Sequence, residues 1–371
     1  MSLIRLSKSF VGSEEKSALE RVIDGGYLGM GEEVKLFESE IQAFIKTNNK
    51  VICVSTGTAA LHLALQGLGV GLGDEVLVPS LTYVASFQAI SATGATPVAC
   101  DVTLDKGFID LNDALLRVTS KTKVIMPVHY GSNNEGMKEV YEFAKKYNLR
   151  VVEDAAHGFG CMQDGAYVGS VGDVVCFSFD GIKNITSGEG GAVITGDMSL
   201  ATKIEDLRLL GVEKDTEKRY KGERSWAFDV KNQGWRNHMS NLMAAIGREQ
   251  LKKIDKFGRQ RRVCAERYVD ALSTHKSVEL FKFNYHRNIP HIFPVRILND
   301  NRDNLMSFLK QKNIECGIHY MPNHFLTLYS APYQLPVVEK LSRELLSLPL
   351  HASLQPEEQE KVINSINEFF K

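Results

Sequence analysis

No two of the six cysteines form a Cys-x-x-Cys pair; Cys53, Cys100, Cys161, Cys176, Cys264 and Cys316 lie far apart, mostly inside apolar runs. That spacing argues against a disulfide framework or a zinc site and for reduced core thiols, as expected of a cytoplasmic protein. No charge sign dominates. Lys and Arg number 44 and Asp and Glu 45, a formal net charge of -1, so no basic field points to nucleic acid or to an anionic membrane. No apolar run is long enough to cross a bilayer. Met1 to Phe10 holds no long apolar segment, so no secretory signal is expected. Gly67, Gly69, Gly71 and Gly73 alternate, but a Gly-x-Gly-x-x-Gly loop would need its third glycine at Leu72, Asp74 or Val76. Gly131 and Gly136 have phosphate-loop spacing, yet Met137 stands where the lysine belongs. There is no His-Glu-x-x-His, and the ten histidines show no ligand spacing, so no metal is expected.

What remains is a chain of 371 residues with 43% hydrophobic side chains, enough for a large core and more than one domain. Ser13 with Glu14 and Glu15 marks a helix start, and Glu33 to Ile45 repeats apolar residues at helical spacing. Short apolar strands then alternate with helices. Strands are predicted at Val51–Val54, Glu75–Pro79, Pro97–Val102, Lys123–Val128 and Arg150–Asp154, with helices at Ala59–Leu68, Tyr83–Ala92, Leu111–Val118 and Asn134–Tyr147. This order predicts an α/β fold, a mainly parallel sheet between helices. Leu242 to Leu272 reads as one long helix with a solvated basic face. Strands at His291–Ile297 and Cys316–Tyr320 and helices at Asp303–Gln311 and Pro356–Phe370 complete a smaller α+β domain. The expected division is 1–250, with the N-terminal segment, and 251–371.

Ligands of such sheets gather at the carboxyl ends of the strands. The residues there include Ser55 to Thr58, Ser80 to Tyr83, His129 to Gly131, Asp154 to His157 and Ser178 to Lys183. Val174 to Phe179 reads as a buried strand and Ala192 to Thr195 as another, with a glycine-rich loop and Lys183 between them. A lysine there is either a solvated loop residue or a desolvated amine able to form an imine with a carbonyl cofactor. Ser55-Thr56-Gly57-Thr58, between a strand and a helix, is either an ordinary N-cap or an anion cradle of free N–H groups. Asp154 ends a buried strand and is followed by Ala155, Ala156 and His157, small residues that let a bulky group approach. A buried carboxylate needs a cationic or donor partner. A protonated pyridine nitrogen supplies one. Pyridoxal 5′-phosphate has that nitrogen, and also needs the imine lysine (Lys183), a phosphate cradle (Gly57, Thr58, Ser178) and an aromatic plate (Tyr83).

With these residues in view the chain resembles the DegT/DnrJ/StrS nucleotide-sugar aminotransferases, fold-type I pyridoxal-phosphate enzymes. The resemblance runs through Gly31 to Glu38, Ser55 to Leu61, Pro79 to Ala85, Glu153 to His157, Lys183 to Gly191, Ala244 to Gly247 with Gln250 and Leu251, and Leu348 to His351. It implies that Lys183 holds the cofactor as an internal imine and shuttles a proton. Asp154 would keep the ring nitrogen protonated, His157 stand near the phenolic oxygen, Tyr83 stack on the ring, and Ser178 with the Gly57 and Thr58 amides hold the phosphate. The family's usual Gly-Tyr-Asn-Tyr-Arg-Met reads here Gly234-Trp235-Arg236-Asn237-His238-Met239. Arg236 thus replaces an asparagine that in relatives reaches the cofactor phosphate of the neighbouring subunit. Asp180-Gly181-Ile182 replaces the usual His-Pro-x before the lysine.

The implied reaction moves an amino group from L-glutamate to a keto-sugar on a nucleoside diphosphate, a dTDP- or UDP-linked 4-keto- or 3-keto-6-deoxyhexose. Deoxyamino-sugar synthesis for a polysaccharide such as O-antigen, and a homodimer with the site at its interface, go with it. His319, Tyr320 and His324 are the substrate-side candidates, against a reading of all three as packing residues. The alternatives are a dehydratase or deoxygenase relative, whose branch replaces the imine lysine with histidine, an amino-acid aminotransferase of the same fold, and a non-catalytic regulatory protein.

Overall fold

The computed structural model describes residues 3–224 and 226–371. Among the described residues nine strands lie between Lys50 and Thr195: β1 (Lys50–Val54), β2 (Glu75–Pro79), β3 (Thr96–Cys100), β4 (Thr122–Ile125), β5 (Arg150–Asp154), the short hairpin β6 (Met162–Gln163) and β7 (Ala166–Tyr167), β8 (Val174–Ser178) and β9 (Gly191–Thr195). Seven of them form one sheet in the order β1-β9-β8-β5-β4-β2-β3. β3, β2, β4, β5 and β8 pair in parallel, while β9 runs antiparallel between β8 and β1. The sheet is therefore mainly parallel, as predicted.

Side chains alternate across it with the two-residue period of a strand. Ile52, Val54, Val76, Val78, Cys176 and Val193 face one core, filled by α3 (Gly57–Gly67), α4 (Val84–Ser91) and α7 (Met198–Leu207). Val51, Cys53, Val175, Phe177, Ala192 and Ile194 face the other, covered by α2 (Glu32–Ile45). Further along that face Leu77, Ile125 and Val151 meet α6 (Met137–Tyr147). With both faces covered, β8 and β9 are buried at every position, which is why they read as unbroken apolar runs. α1 (Ser13–Asp24), α5 (Leu111–Leu115) and α8 (Thr216–Tyr220) lie around this body.

The helix predicted over Leu242–Leu272 is two helices, α9 (Asn241–Leu251) and α10 (Ile254–Leu272), broken at Lys252-Lys253. Leu251 and Ile254, on either side of the break, enter the same core. Its basic side chains are not simply solvated. Arg248 pairs with Glu33 and Glu40, Lys253 with Glu14 and Glu15, and Arg261 is 3% exposed. α6 begins at Met137 rather than Asn134, after Gly136 at φ 109°.

The C-terminal body is an antiparallel sheet of β10 (Val278–Leu280), β11 (Phe293–Ile297) and β12 (Leu345–Leu348). It packs with α10, α11 (Arg302–Gln311) and α13 (Pro356–Phe369) around Tyr268, Val295, Leu305, Leu346 and Ile366. Two segments cross the proposed 250/251 division. Ile4 packs in the C-terminal core, and α12 (Pro336–Glu344) puts Val338 and Leu341 into the main one. The strand predicted at Cys316–Tyr320 does not form; a single bridge, Gly317 to Ser347, is all that pairs. The chain leaves the sheet there and carries His319 and Tyr320 to the main cavity.

Candidate active site

A cavity of about 420 Å³ opens at the carboxyl ends of the central strands. Lys183, Asp154, His157, Gly57, Thr58, Tyr83, Ser178, His319 and Tyr320 all line it. The strand order sets the carboxyl ends of β1, β2, β5 and β8 along one edge of the sheet, and the C-terminal body adds His319 and Tyr320, so residues spread over more than 260 positions meet.

Thr56 caps α3, its Oγ1 accepting the Ala59 N–H at 3.0 Å, while the Ala60 N–H bonds to the Thr56 carbonyl. The N–H groups of Gly57 and Thr58, first in the helix, have no carbonyl of their own helix to bond. A Cβ on Gly57 would stand 2.7 Å from Ser178 Cβ, and one on Gly191 2.4 Å from the Thr56 carbonyl oxygen. Only glycine lets the start of α3 sit this close to the end of β8, so free amides and the Ser178 hydroxyl converge. The segment is an N-cap, and the first amides of the helix are left free beside it.

Asp154 is 6% exposed. Its Oδ2 accepts from Ser86 Oγ at 2.7 Å and its Oδ1 from the Ala156 N–H at 3.2 Å. Thr82 Oγ1 lies 2.8 Å from the Ser86 hydroxyl and holds it in turn. Among the described residues no ion pair neutralises this carboxylate, which is what a site for a protonated ring nitrogen requires. Tyr83 is 60% exposed and stands 5.7 Å from the Tyr320 ring, centroid to centroid. His157 Nε2 lies 3.1 Å from the Tyr320 hydroxyl.

Lys183 sits on the loop between β8 and β9, partly open to the cavity. Burial lowers its amine to about 8; Asp154 and Asp180 oppose that shift and Arg261 adds to it. His157 and His291 are pushed well below the usual imidazole value, by burial first and by Lys183 next, so both are neutral near pH 7. Burial, with help from Lys183, lowers His319 to about 4, and its Nδ1 lies 2.8 Å from Ser347 Oγ. Burial raises the Tyr320 hydroxyl, so it stays a neutral donor. Asp180 and Glu189 complete the rim, and Glu189 is raised by burial first and Asp180 second.

Two predicted residues are not among those lining the cavity. His324 is 5% exposed; its Nδ1 is 2.7 Å from Ser80 Oγ and its Nε2 3.5 Å from Glu339, so it fastens α12 to the sheet. Arg236 is exposed and bridges to Leu209 outside the cavity of its own chain. Ser86, Asp180, Glu189 and His291 were not foreseen as site residues. Only Asp180 carried a signal, as a departure beside the lysine.

A helix-start cradle, an unpaired aspartate and a desolvated lysine around one cavity match what pyridoxal 5′-phosphate needs from a protein, and the fold is that of the fold-type I enzymes. The chain belongs to the DegT/DnrJ/EryC1/StrS aminotransferase family, whose model matches residues 10–367. It is similar to the spore coat polysaccharide biosynthesis protein SpsC of Bacillus subtilis (strain 168), 32% identical over 378 residues covering 98% of this chain and 96% of SpsC. Among solved structures it resembles DesV of S. venezuelae, with 34% identity, a TM-score of 0.88 and coverage of 96% and 94%. It also resembles the protein Spr1654 of Streptococcus pneumoniae. The PMP form of that protein gives a TM-score of 0.91 at 26% identity, with 98% of each chain covered, and it is known in a PLP form as well. The chain is thus a pyridoxal-phosphate-dependent sugar aminotransferase.

Proposed function

We propose that this enzyme transfers an amino group from L-glutamate to a keto-sugar carried on a nucleoside diphosphate, a dTDP- or UDP-linked 3-keto- or 4-keto-6-deoxyhexose, with the cofactor attached covalently to Lys183. The observation that carries the reading is the pairing, in one cavity, of a lysine amine lowered to about 8 with a buried aspartate that forms no ion pair among the described residues. The cofactor, when bound, supplies an electron sink for the substrate carbon. The chain's own residues do the rest. The Gly57 and Thr58 N–H groups and the Ser178 hydroxyl hold the phosphate, and Asp154 holds the proton on the ring nitrogen. Tyr83 covers the ring face. His157, neutral and hydrogen-bonded to Tyr320, orients the phenolic oxygen. Lys183 Nζ, with a pKa near working pH, takes the proton from the substrate carbon and returns it.

The charge balance supports a dimeric site. Asp154, Asp180 and Glu189 line the cavity against one cation, Lys183. A phosphorylated cofactor, a dicarboxylate donor and a nucleotide diphosphate are all anions and call for more positive charge. Arg236, exposed and away from its own cavity, supplies it to the partner's site in a homodimer. The sugar's hydroxyls meet His319 and Tyr320. We place the reaction in the cytoplasm, where free thiols such as the six here persist.

The test is the absorption spectrum of the purified protein before and after L-glutamate, beside a Lys183→Ala control. The expected result is a visible band that glutamate abolishes in the native protein and that the variant never cycles. A protein that binds no added pyridoxal 5′-phosphate would sink the proposal.

A further inference from the structure

His291 lies behind the cavity, 108 residues from Lys183 in sequence, and its Nε2 is 3.5 Å from Lys183 Nζ. The ring is 4% exposed. Its Nδ1 has no hydrogen-bond partner among the described residues, so Lys183 provides the ring's one polar contact. A buried imidazole with a single polar contact is oriented toward that contact. The remaining face packs on His157, ring centroids 4.2 Å apart.

The backbone is arranged to hold the two residues together. The His291 N–H donates to Ser132 Oγ at 3.1 Å. The His291 carbonyl accepts from Arg261 Nη1 at 3.1 Å, and Arg261 Nη2 reaches the carbonyl of Ile182, next to the lysine, at 3.4 Å. One buried guanidinium therefore grips both segments. It makes no ion pair with a carboxylate among the described residues; its other bonds go to the carbonyls of Pro290 and Leu350. Its charge stays uncompensated and disfavours a proton on Lys183. His291 is itself kept neutral by burial, Lys183, His157, Arg261 and His319, so it serves as a hydrogen-bond partner and not as a proton store.

We propose that His291 is a positioning residue for Lys183: its Nε2 holds the free lysine amine at the cavity, and Arg261 fixes the pair through the backbone of Ile182 and His291. The proposal rests on the reading of Lys183 as the cofactor-bearing residue. An amine that must repeatedly leave and rejoin the cofactor needs a defined resting place, because a flexible four-carbon stem otherwise spends most of its time misaligned.

The test uses cofactor-free enzyme and two probes. Pyridoxal 5′-phosphate reports covalent attachment through its absorbance. Pyridoxamine 5′-phosphate, which has no aldehyde, reports the integrity of the cavity alone. His291→Ala is expected to slow attachment about tenfold or more while leaving pyridoxamine phosphate affinity essentially unchanged. His291→Gln, which restores a polar atom near the Nε2 position, is expected to recover most of the rate. An attachment rate unchanged in His291→Ala overturns the proposal. Equal losses of attachment and of pyridoxamine phosphate binding in both variants also overturn it, since they would mark a purely structural residue. Failure of the native protein to attach the aldehyde would overturn the role of Lys183 first, and this proposal with it.

Discussion

The Ser86 hydroxyl donates a 2.7 Å hydrogen bond to Asp154 Oδ2, joining α4 to the end of β5. A hydrogen bond to a buried charge is worth about 1.5–3 kcal/mol. Ser86→Ala is expected to cost that much in urea unfolding of the cofactor-free protein, and to reduce turnover modestly. Asp154→Asn removes the charge proposed to hold the ring proton and is expected to lower kcat by about 10²–10³-fold while the cofactor still attaches. Equal turnover in native and Asp154→Asn protein would remove the aspartate from the chemistry.

Lys183 offers a pH signature. Its amine is lowered from 10.5 to about 8, by burial first, with Asp154 and Asp180 opposing and Arg261 assisting. The reactive form is the free amine, so labelling of Lys183 in cofactor-free protein by limiting formaldehyde and a hydride donor should rise with pH and level off above about 8. Surface lysines should still be climbing there. In stability terms the unfolded chain binds the extra proton between the two values, so this group favours the folded state increasingly from pH 8 toward 10.5. Peptide mass spectrometry across pH gives the midpoint; one near that of surface lysines would contradict the desolvated environment.

Arg208 is fully buried and binds Glu38 Oε1 at 2.6 Å, the Cys53 carbonyl at 2.6 Å and the Tyr220 hydroxyl at 2.9 Å; Tyr220 in turn donates to Glu38. This network joins α2, β1 and α8. Glu38→Gln leaves the guanidinium without its counter-charge and is expected to destabilise the fold by about 3–5 kcal/mol. Chemical denaturation of the two proteins in parallel measures it. A loss below 1 kcal/mol would mean that water reaches the network.

Arg236 separates a shared site from a self-contained one. If it serves the partner's cavity, Arg236→Ala and Lys183→Ala proteins, each inactive alone, should regain activity when refolded together. A mixed dimer then holds one site with both native residues, so roughly one site in four is restored under random pairing of a two-fold dimer. No recovery would place Arg236 in its own chain's site or outside the chemistry.

Much of this protein is legible without coordinates. The apolar runs of β1, β2, β5 and β8 announce buried strands, and the residues just after them, Gly57, Thr58, Tyr83, Asp154, Ser178 and Lys183, fall where a parallel sheet gathers its ligands. The lysine loop and the helix-start cradle are local patterns, and local patterns survive in one dimension. His291, Ser86 and Arg261 carry no such pattern. A histidine at a strand start, a serine in a short helix and an arginine in a basic run each look ordinary. They matter through partners 108, 68 and 79 residues away. The break at Lys252-Lys253 is equally silent, because no proline or glycine marks it.

The sequence by itself determined the central strands β1, β2, β5 and β8 and the residues at their ends, since burial periodicity and capping depend on neighbours in the chain; it did not determine that Cys316–Tyr320 stays out of the sheet or that α9 and α10 are separate helices. Tertiary structure alone decided which ends meet. The order β1-β9-β8-β5-β4-β2-β3 places Gly57 against Ser178 and Asp154 beside Ser86. The C-terminal body brings His319 and Tyr320 to the same cavity and leaves His324 to brace α12. Those pairings follow from how whole faces pack, a property that no single stretch of residues encodes.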